Sequence, residues 1–458
     1  MGNSDEWNVG RRRVFFVYRQ GIFMERILFF WNELKATFWF VPVLIIFLAI
    51  LLALGFVYLD YQLNIPQEGI SRYLFIGSVD SARSILTTIS AAMIGVGGTV
   101  FSITLVALAL ASNQFGPRLI KNFMYDRLNQ IVLGAYIATF IYCLIVLNMI
   151  KETEQHVFLP SVSISLAMIM ALLNIILLIV FIHHIAVSIQ ADKVVSRISE
   201  TLLQNIKTLF PDKLEDESDE QKEHDEASAK SDYKYSKPLL AEKNGYLQYI
   251  DTKMLKKLTV EMDGLIALHF RAGGYLVEGI QLGTIYSHEE LTDEQIKKTH
   301  DVFVVGQSRT QQQDAEYAVH QMVEIAVRAL SPGVNDPYTA IACIDNLSAV
   351  MSYLAKANFP SAYTYEEDQL RIIEEKLTFE GVLDAAFNQI RQFSKESPAV
   401  VIRLMEALNT INGFAEKKNY RAAVRSHAQM VLNMAKQSFT EAADLKDLEK
   451  RSKGVLGE

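Results

Sequence analysis

The sequence predicts a membrane α-helical protein: about four transmembrane helices, then a cytoplasmic α+β domain with a small β unit and a C-terminal helical bundle. Three observations lead there. Residues 1–190 hold four long runs free of Asp, Glu, Lys and Arg. The short segments flanking those runs carry Lys and Arg asymmetrically. After about Ala191 the composition becomes that of an ordinary water-soluble protein, with helical periodicity, strand patterns and glycine turns.

A helix needs about 20 apolar residues to cross the hydrocarbon core of a bilayer. The segments at about 38–59, 84–112, 131–150 and 158–187 meet that requirement. Their orientation follows from the basic flanks. Arg11, Arg12, Arg13, Arg19, Arg26 and Lys35 precede the first span, and Arg118, Lys121 and Arg127 lie between the second and third. The opposite loops hold only Arg72 and Arg83, and Lys151. Both termini are therefore expected inside. No cleavable signal peptide is expected, because the first apolar run starts behind a long charged region with no small-residue cleavage site.

The boundaries read as follows: an N-terminal cytoplasmic or interfacial segment at 1–37, the four-helix domain at 38–190, and a cytoplasmic helix extension at 191–211. A charged flexible linker follows at 212–237, then a β-rich unit at 238–310 and a helical domain at 311–458. Aromatic-rich residues 14–36 suit either a helix lying in the headgroup plane or a simple extension of the first span. The linker lacks the apolar content to fold alone. A net charge of −8, mostly from the soluble half, argues against a nucleic-acid partner. Two cysteines, one in an apolar run and one in the soluble half, support neither a disulfide framework nor a metal site. No cofactor is expected.

The second span is the most informative. Ser84, Thr88, Ala91, Gly95, Gly98 and Ser102 recur at alternating four- and three-residue steps, which keeps them on one helix face. In a membrane such a seam lets backbones approach closely. It could pack inside the subunit, or surround a central axis shared with identical subunits. The span ends at Gly116-Pro117, a hinge signal. A Gly/Ala-rich helix, a break and an amphipathic stretch is similar in pattern to the pore helix of small-conductance mechanosensitive channels. His183 and His184 at the end of the fourth span read as interfacial side chains rather than a proton relay.

In the soluble half, helical periodicity from 190 to 210 predicts that the fourth span continues without a break. Residues 247–250, 265–270, 275–285 and 302–305 read as strands, with Arg271-Ala-Gly-Gly as a turn. The stretch RAGGYLVEGIQLGTI resembles the hairpins of lipoyl-like barrels, but no lysine sits at the tip for cofactor attachment. Residues 314–330 read as a helix, and Asp336-Pro337 as the capped start of another. From Tyr365 onward the pattern reads as helices alone. Arg309, Asp314, Arg328, Asn335, Asp336 and Asp345 form a polar set that could bind a ligand or could serve as caps, pairs and turns.

Residues 81–147 and 307–345, the latter containing SPGVNDP at 331–337, resemble the bacterial predicted membrane proteins of domain of unknown function 2254. The resemblance implies a bacterial inner-membrane location and no particular activity. The leading reading is a homo-oligomeric channel-like or transport-related protein in the lipid bilayer, with no ion or ligand specified. The alternative is a membrane-anchored sensor or scaffold; an enzyme is the least favoured. Reporter fusions at Glu458 and near Glu152 should report opposite sides of the membrane. Same-side signals would defeat the four-span topology.

Overall fold

The computed structural model describes residues 37–63, 78–116, 126–153, 156–210, 226–366 and 368–457. The interfacial segment, Pro117, the amphipathic stretch up to 125 and the acidic part of the linker up to 225 lie outside them. The chain forms two compact units, divided at Ile189/Gln190, with Gln114–Gly116 grouped with the C-terminal one.

The N-terminal unit contains α1 (Phe40–Leu63), α2 (Val79–Phe115), α3 (Arg127–Met149) and α4 (Ser161–Ser188). All four are long and apolar enough to cross a membrane. At 37 residues, α2 is about 55 Å long, well beyond the hydrocarbon thickness. The most enclosed helix is α3, which packs closely against both α1 and α4. Gly134 permits this: a Cβ there would lie 2.9 Å from both Pro42 Cα and Ile45 Cδ1. A short hairpin, β1 (Lys151–Thr153) and β2 (His156–Phe158), joins α3 to α4 and has no counterpart in the sequence reading.

The start of α4 is capped from another helix. Pro160 occupies the N-cap and offers no side-chain acceptor. Asp60 of α1 takes over that role, accepting from Val162 N and Ser163 N at 2.9 Å each and from Ser163 Oγ at 2.6 Å. A carboxylate on orphan N–H groups is also favoured by the helix dipole.

The expectation of an unbroken fourth helix is corrected. Gln190 is extended (ψ 129°) and caps α5 (Ala191–Leu209). The break lets α5 bury its own stripe of Val194, Val195, Ile198, Leu202 and Ile206, and α5 packs on α9 (Ala315–Ala329) and α10 (Pro337–Leu354). Tyr353 Oη donates to Phe210 O at 2.9 Å and ties the end of α5 to α10.

The linker expectation is corrected over 226–237. These residues form α6 (Glu226–Ser231) and open strand β3 (Tyr235–Leu240). Contacts far along the chain order them: Tyr363 Oη donates to Glu226 at 3.0 Å, and β3 pairs with β7 (Gln281–Ser287).

The β unit also differs from the reading at 238–310. Its further elements are β4 (Gly245–Ile250), α7 (Thr252–Glu261), β5 (Gly264–Leu268), β6 (Tyr275–Leu276), α8 (Asp293–His300) and β8 (Phe303–Gly306). Two strands that the sequence reading assigned to helix complete it, β9 (Tyr363–Glu366) and β10 (Gln369–Ile373). One sheet has the order β3-β7-β5-β10-β9, with β10 parallel to β5; the other is β6-β4-β8. Segment 275–285 is therefore not a hairpin. It crosses between sheets, and at the crossing Gly279 N donates to Ala241 O while Ala241 N donates the return bond to Ile280 O, both 2.8 Å. Leu247, Ile266, Leu276 and Ile372 meet in the core of this unit.

Helices α11 (Phe379–Phe393), α12 (Pro398–Phe414), α13 (Lys418–Ser438) and α14 (Ala442–Leu456) complete the bundle with α9 and α10. Gly134→Leu should destabilise the membrane unit by about 1–3 kcal/mol through overpacking. Gly55→Leu, with nothing within 4 Å of its added Cβ, should be near neutral. Thermal unfolding in detergent distinguishes the two.

Candidate functional site

Several polar side chains inside the membrane unit have partners on other helices. Asn174 of α4 is buried and donates to Thr139 Oγ1 of α3 at 2.8 Å and to Met93 Sδ of α2 at 3.3 Å. Tyr136 Oη donates to the Asn174 carbonyl at 2.7 Å, and Tyr142 Oη to that of Ser163 at 3.0 Å. The sequence reading passed over Asn174 and Asp60. The available signal was an amide within an apolar run and a carboxylate at the edge of one.

The seam of α2 has a different environment. Ser84, Thr88, Ala91, Gly95, Gly98 and Ser102 are all exposed. Leu86, Met93 and Val100, which are buried, lie roughly opposite at about 100° per residue. A Cβ added at Gly95 or Gly98 meets nothing within 4 Å, whereas one at Gly97 meets Tyr136 Cβ at 3.4 Å. Within one subunit, then, α2 turns Leu86, Met93 and Val100 inward and the small-residue seam outward. Two of the seam hydroxyls are satisfied locally: Thr88 donates to Ser84 O at 2.7 Å and Ser102 to Gly98 O at 2.9 Å. Gly116, beyond the last turn of α2, takes a left-handed φ of 108°, which a glycine adopts without strain. Its proposed hinge partner, Pro117, is outside the described residues.

His184 touches Asp126, with Nε2 to Oδ2 at 2.7 Å, while the other Asp126 oxygen caps α3 by accepting from Leu128 N at 3.0 Å. Ser188 Oγ lies 3.3 Å from the same His184 nitrogen. This contact joins the ends of α3 and α4.

In the C-terminal unit the structure separates the polar set. Asp314 is the N-cap of α9, accepting from Tyr317 N at 3.0 Å. Arg309 grips it in a two-point pair, Nε to Oδ2 at 2.6 Å and Nη2 to Oδ1 at 2.8 Å. Arg271 holds Glu316 at 2.9 Å beside it. Gly273 is left-handed (φ 95°), and a Cβ there would collide with the Asp314 carboxylate. Burial works against the Arg309 charge, but Asp314, with Glu316 and Tyr246, more than offsets it and holds the guanidinium pKa above its ordinary value.

Arg328 lies at the other end of this 15-residue helix, about 20 Å along the axis from Asp314. There its carbonyl accepts from Ser331 Oγ at 2.6 Å. Asn335 takes φ 48°, and Asp336 caps α10 by accepting from Thr339 N at 3.1 Å. Asp345 pairs with Arg403 of α12. The six residues thus form three local devices rather than one convergent pocket. Among the described residues, no group of three or more His, Cys, Asp or Glu side chains is placed to hold a metal.

Asp314→Ala removes a cap and strands a half-buried guanidinium, so it should cost about 3 kcal/mol. Asp345→Ala breaks a more exposed pair and should cost about 0.5 kcal/mol or less. Denaturant midpoints of the full chain in detergent test the contrast.

Comparison with known proteins agrees with the four spans. A family model described as predicted membrane protein matches residues 35–410. Uncharacterized proteins of Mycobacterium bovis and Mycobacterium tuberculosis are each 31% identical over 385 residues, covering 82% of this chain and 72% of theirs. No solved structure matches. The chain therefore belongs to the predicted membrane proteins of domain of unknown function 2254.

Proposed function

We propose that the protein is a homo-oligomeric, channel-like or transport-related protein of the bacterial inner membrane, with both termini cytoplasmic and α2 around the central axis. The outward-facing seam of α2 carries this reading. Lipid tails gain little from a helix face of glycine, alanine and serine, because few side-chain atoms are there to touch. Another helix gains more, since the backbones can come close. The seam has no partner within the subunit that a larger residue would disturb, as the open space around Gly95 and Gly98 indicates. A second copy of the same helix supplies a matching surface, and closed rotational symmetry brings equivalent faces together about one axis. Such an axis would be lined by hydroxyls and glycines and bear no formal charge.

The test uses single cysteines at Gly95, Gly98 and Ser102, in a background where buried Cys143 and Cys343 are replaced. Efficient cross-links between subunits are expected at all three positions, and none at buried Gly97. Gly98→Leu should leave the subunit folded while dissociating the oligomer or abolishing a conductance in reconstituted bilayers. Strong cross-links from α1 or α4, with none from α2, would remove the basis of the proposal.

A further inference from the structure

We propose that an open groove between α13 and α14 binds a phosphoryl group. Along α13, Lys418, Arg421 and Arg425 recur at three- and four-residue steps and share one exposed face. Ser426 and Gln429 extend that face with neutral donors, and Leu456 of α14 forms an apolar wall. Together these residues border an open depression of about 710 Å³, and among the described residues no carboxylate lines it.

The cations differ from five arginines of this unit. Arg271, Arg309, Arg371, Arg403 and Arg451 each hold a carboxylate. Among the described residues, the side chains of Lys418 and Arg425 have no ion-pair or hydrogen-bond partner. Arg421 spends only Nε, donating to Ala415 O at 2.8 Å, which fixes its guanidinium and leaves both Nη groups for the groove. Like charges stacked on one helix face repel each other. In a chain of net charge −8, an uncompensated trio points to an anion.

The dimensions select the kind of anion. From Lys418 to Arg425 is about 10 Å along the helix axis, the reach of one or two phosphoryl groups. The volume lies within the range of about 300–1,000 Å³ typical of small-ligand sites. Arginine forks match phosphate oxygens in pairs. The group could belong to a free phosphate compound or to an anionic lipid headgroup. This inference is independent of the oligomeric reading.

The full chain, held in phosphatidylcholine nanodiscs, is titrated calorimetrically with inorganic pyrophosphate. Saturable binding is expected, weakened at least about tenfold by Lys418→Gln with Arg425→Gln. Both side chains are exposed, so the double variant should keep the wild-type unfolding temperature. Arg421 is left intact because it serves Ala415. Lys436→Gln, remote from the groove lining and paired with Glu449 at 3.8 Å, should bind like the wild type. If pyrophosphate does not bind, a headgroup source requires slower hydrogen exchange of 418–429 in discs containing phosphatidylglycerol, and loss of that protection in the double variant. Neither effect, or an equal loss in Lys436→Gln, would overturn the proposal. So would tighter binding of poly-glutamate than of pyrophosphate, which would make the groove a protein-docking surface.

Discussion

Hydrocarbon cannot hydrogen-bond, and the membrane unit is organised around that fact. A polar group within the bundle needs a partner from the protein, and where that partner lies on another helix the group joins the two. Asn174 draws α4 to Thr139 and Met93 on two other helices. Asp60 does the same between α1 and the start of α4, where Pro160 leaves the first N–H groups without a side-chain cap of their own. Tyr136 and Tyr142 reach carbonyls of α4 from α3. Because the association of apolar helices in lipid gains nothing from excluding water, these few bonds and close packing at Gly134 set which helices are neighbours.

The same constraint explains why α2 has two unlike faces. Toward α3 and α4 it presents Leu86, which packs in a cluster with Tyr142, and Met93 and Val100, which cluster with Tyr136 and Phe181. On the far side the Thr88 and Ser102 hydroxyls bond to carbonyls one turn back, so neither presents an unsatisfied donor there. That face can therefore meet another helix, or a narrow path, without a desolvation penalty from those donors.

In the C-terminal unit water is available, and charge does much of the local work. The Arg309–Asp314 clasp, flanked by Arg271–Glu316, holds the start of α9 against the Gly273 turn. Further along, SPGVNDP reverses the chain between α9 and α10 with a left-handed Asn335 and an Asp336 cap, so its polar residues are occupied by the turn itself. Five arginines of this unit hold carboxylates in this way. The groove on α13 departs from this pattern and has the composition of a site rather than of a scaffold.

The sequence by itself determined what depends on neighbouring residues. Four uncharged runs near 20 residues or longer marked the candidate spans, and Asp336 with Pro337 announced a helix start because capping acts within one turn. The seam of α2 was also legible, since its period is local. Which way that seam faces was not, because a small residue suits both an inner and an outer contact. Tertiary structure alone decided it, together with the break at Gln190, the folding of 226–237, and the transfer of 275–285 between sheets. Strand β10 is the plainest case: Ile372 and Ile373 are too short an apolar run to declare a strand, and they become one by lying parallel to Ile266 and Ala267, far back in the chain. Pairing energy between distant segments leaves no periodic mark on either, so that part of the fold exists only once the chain has closed on itself.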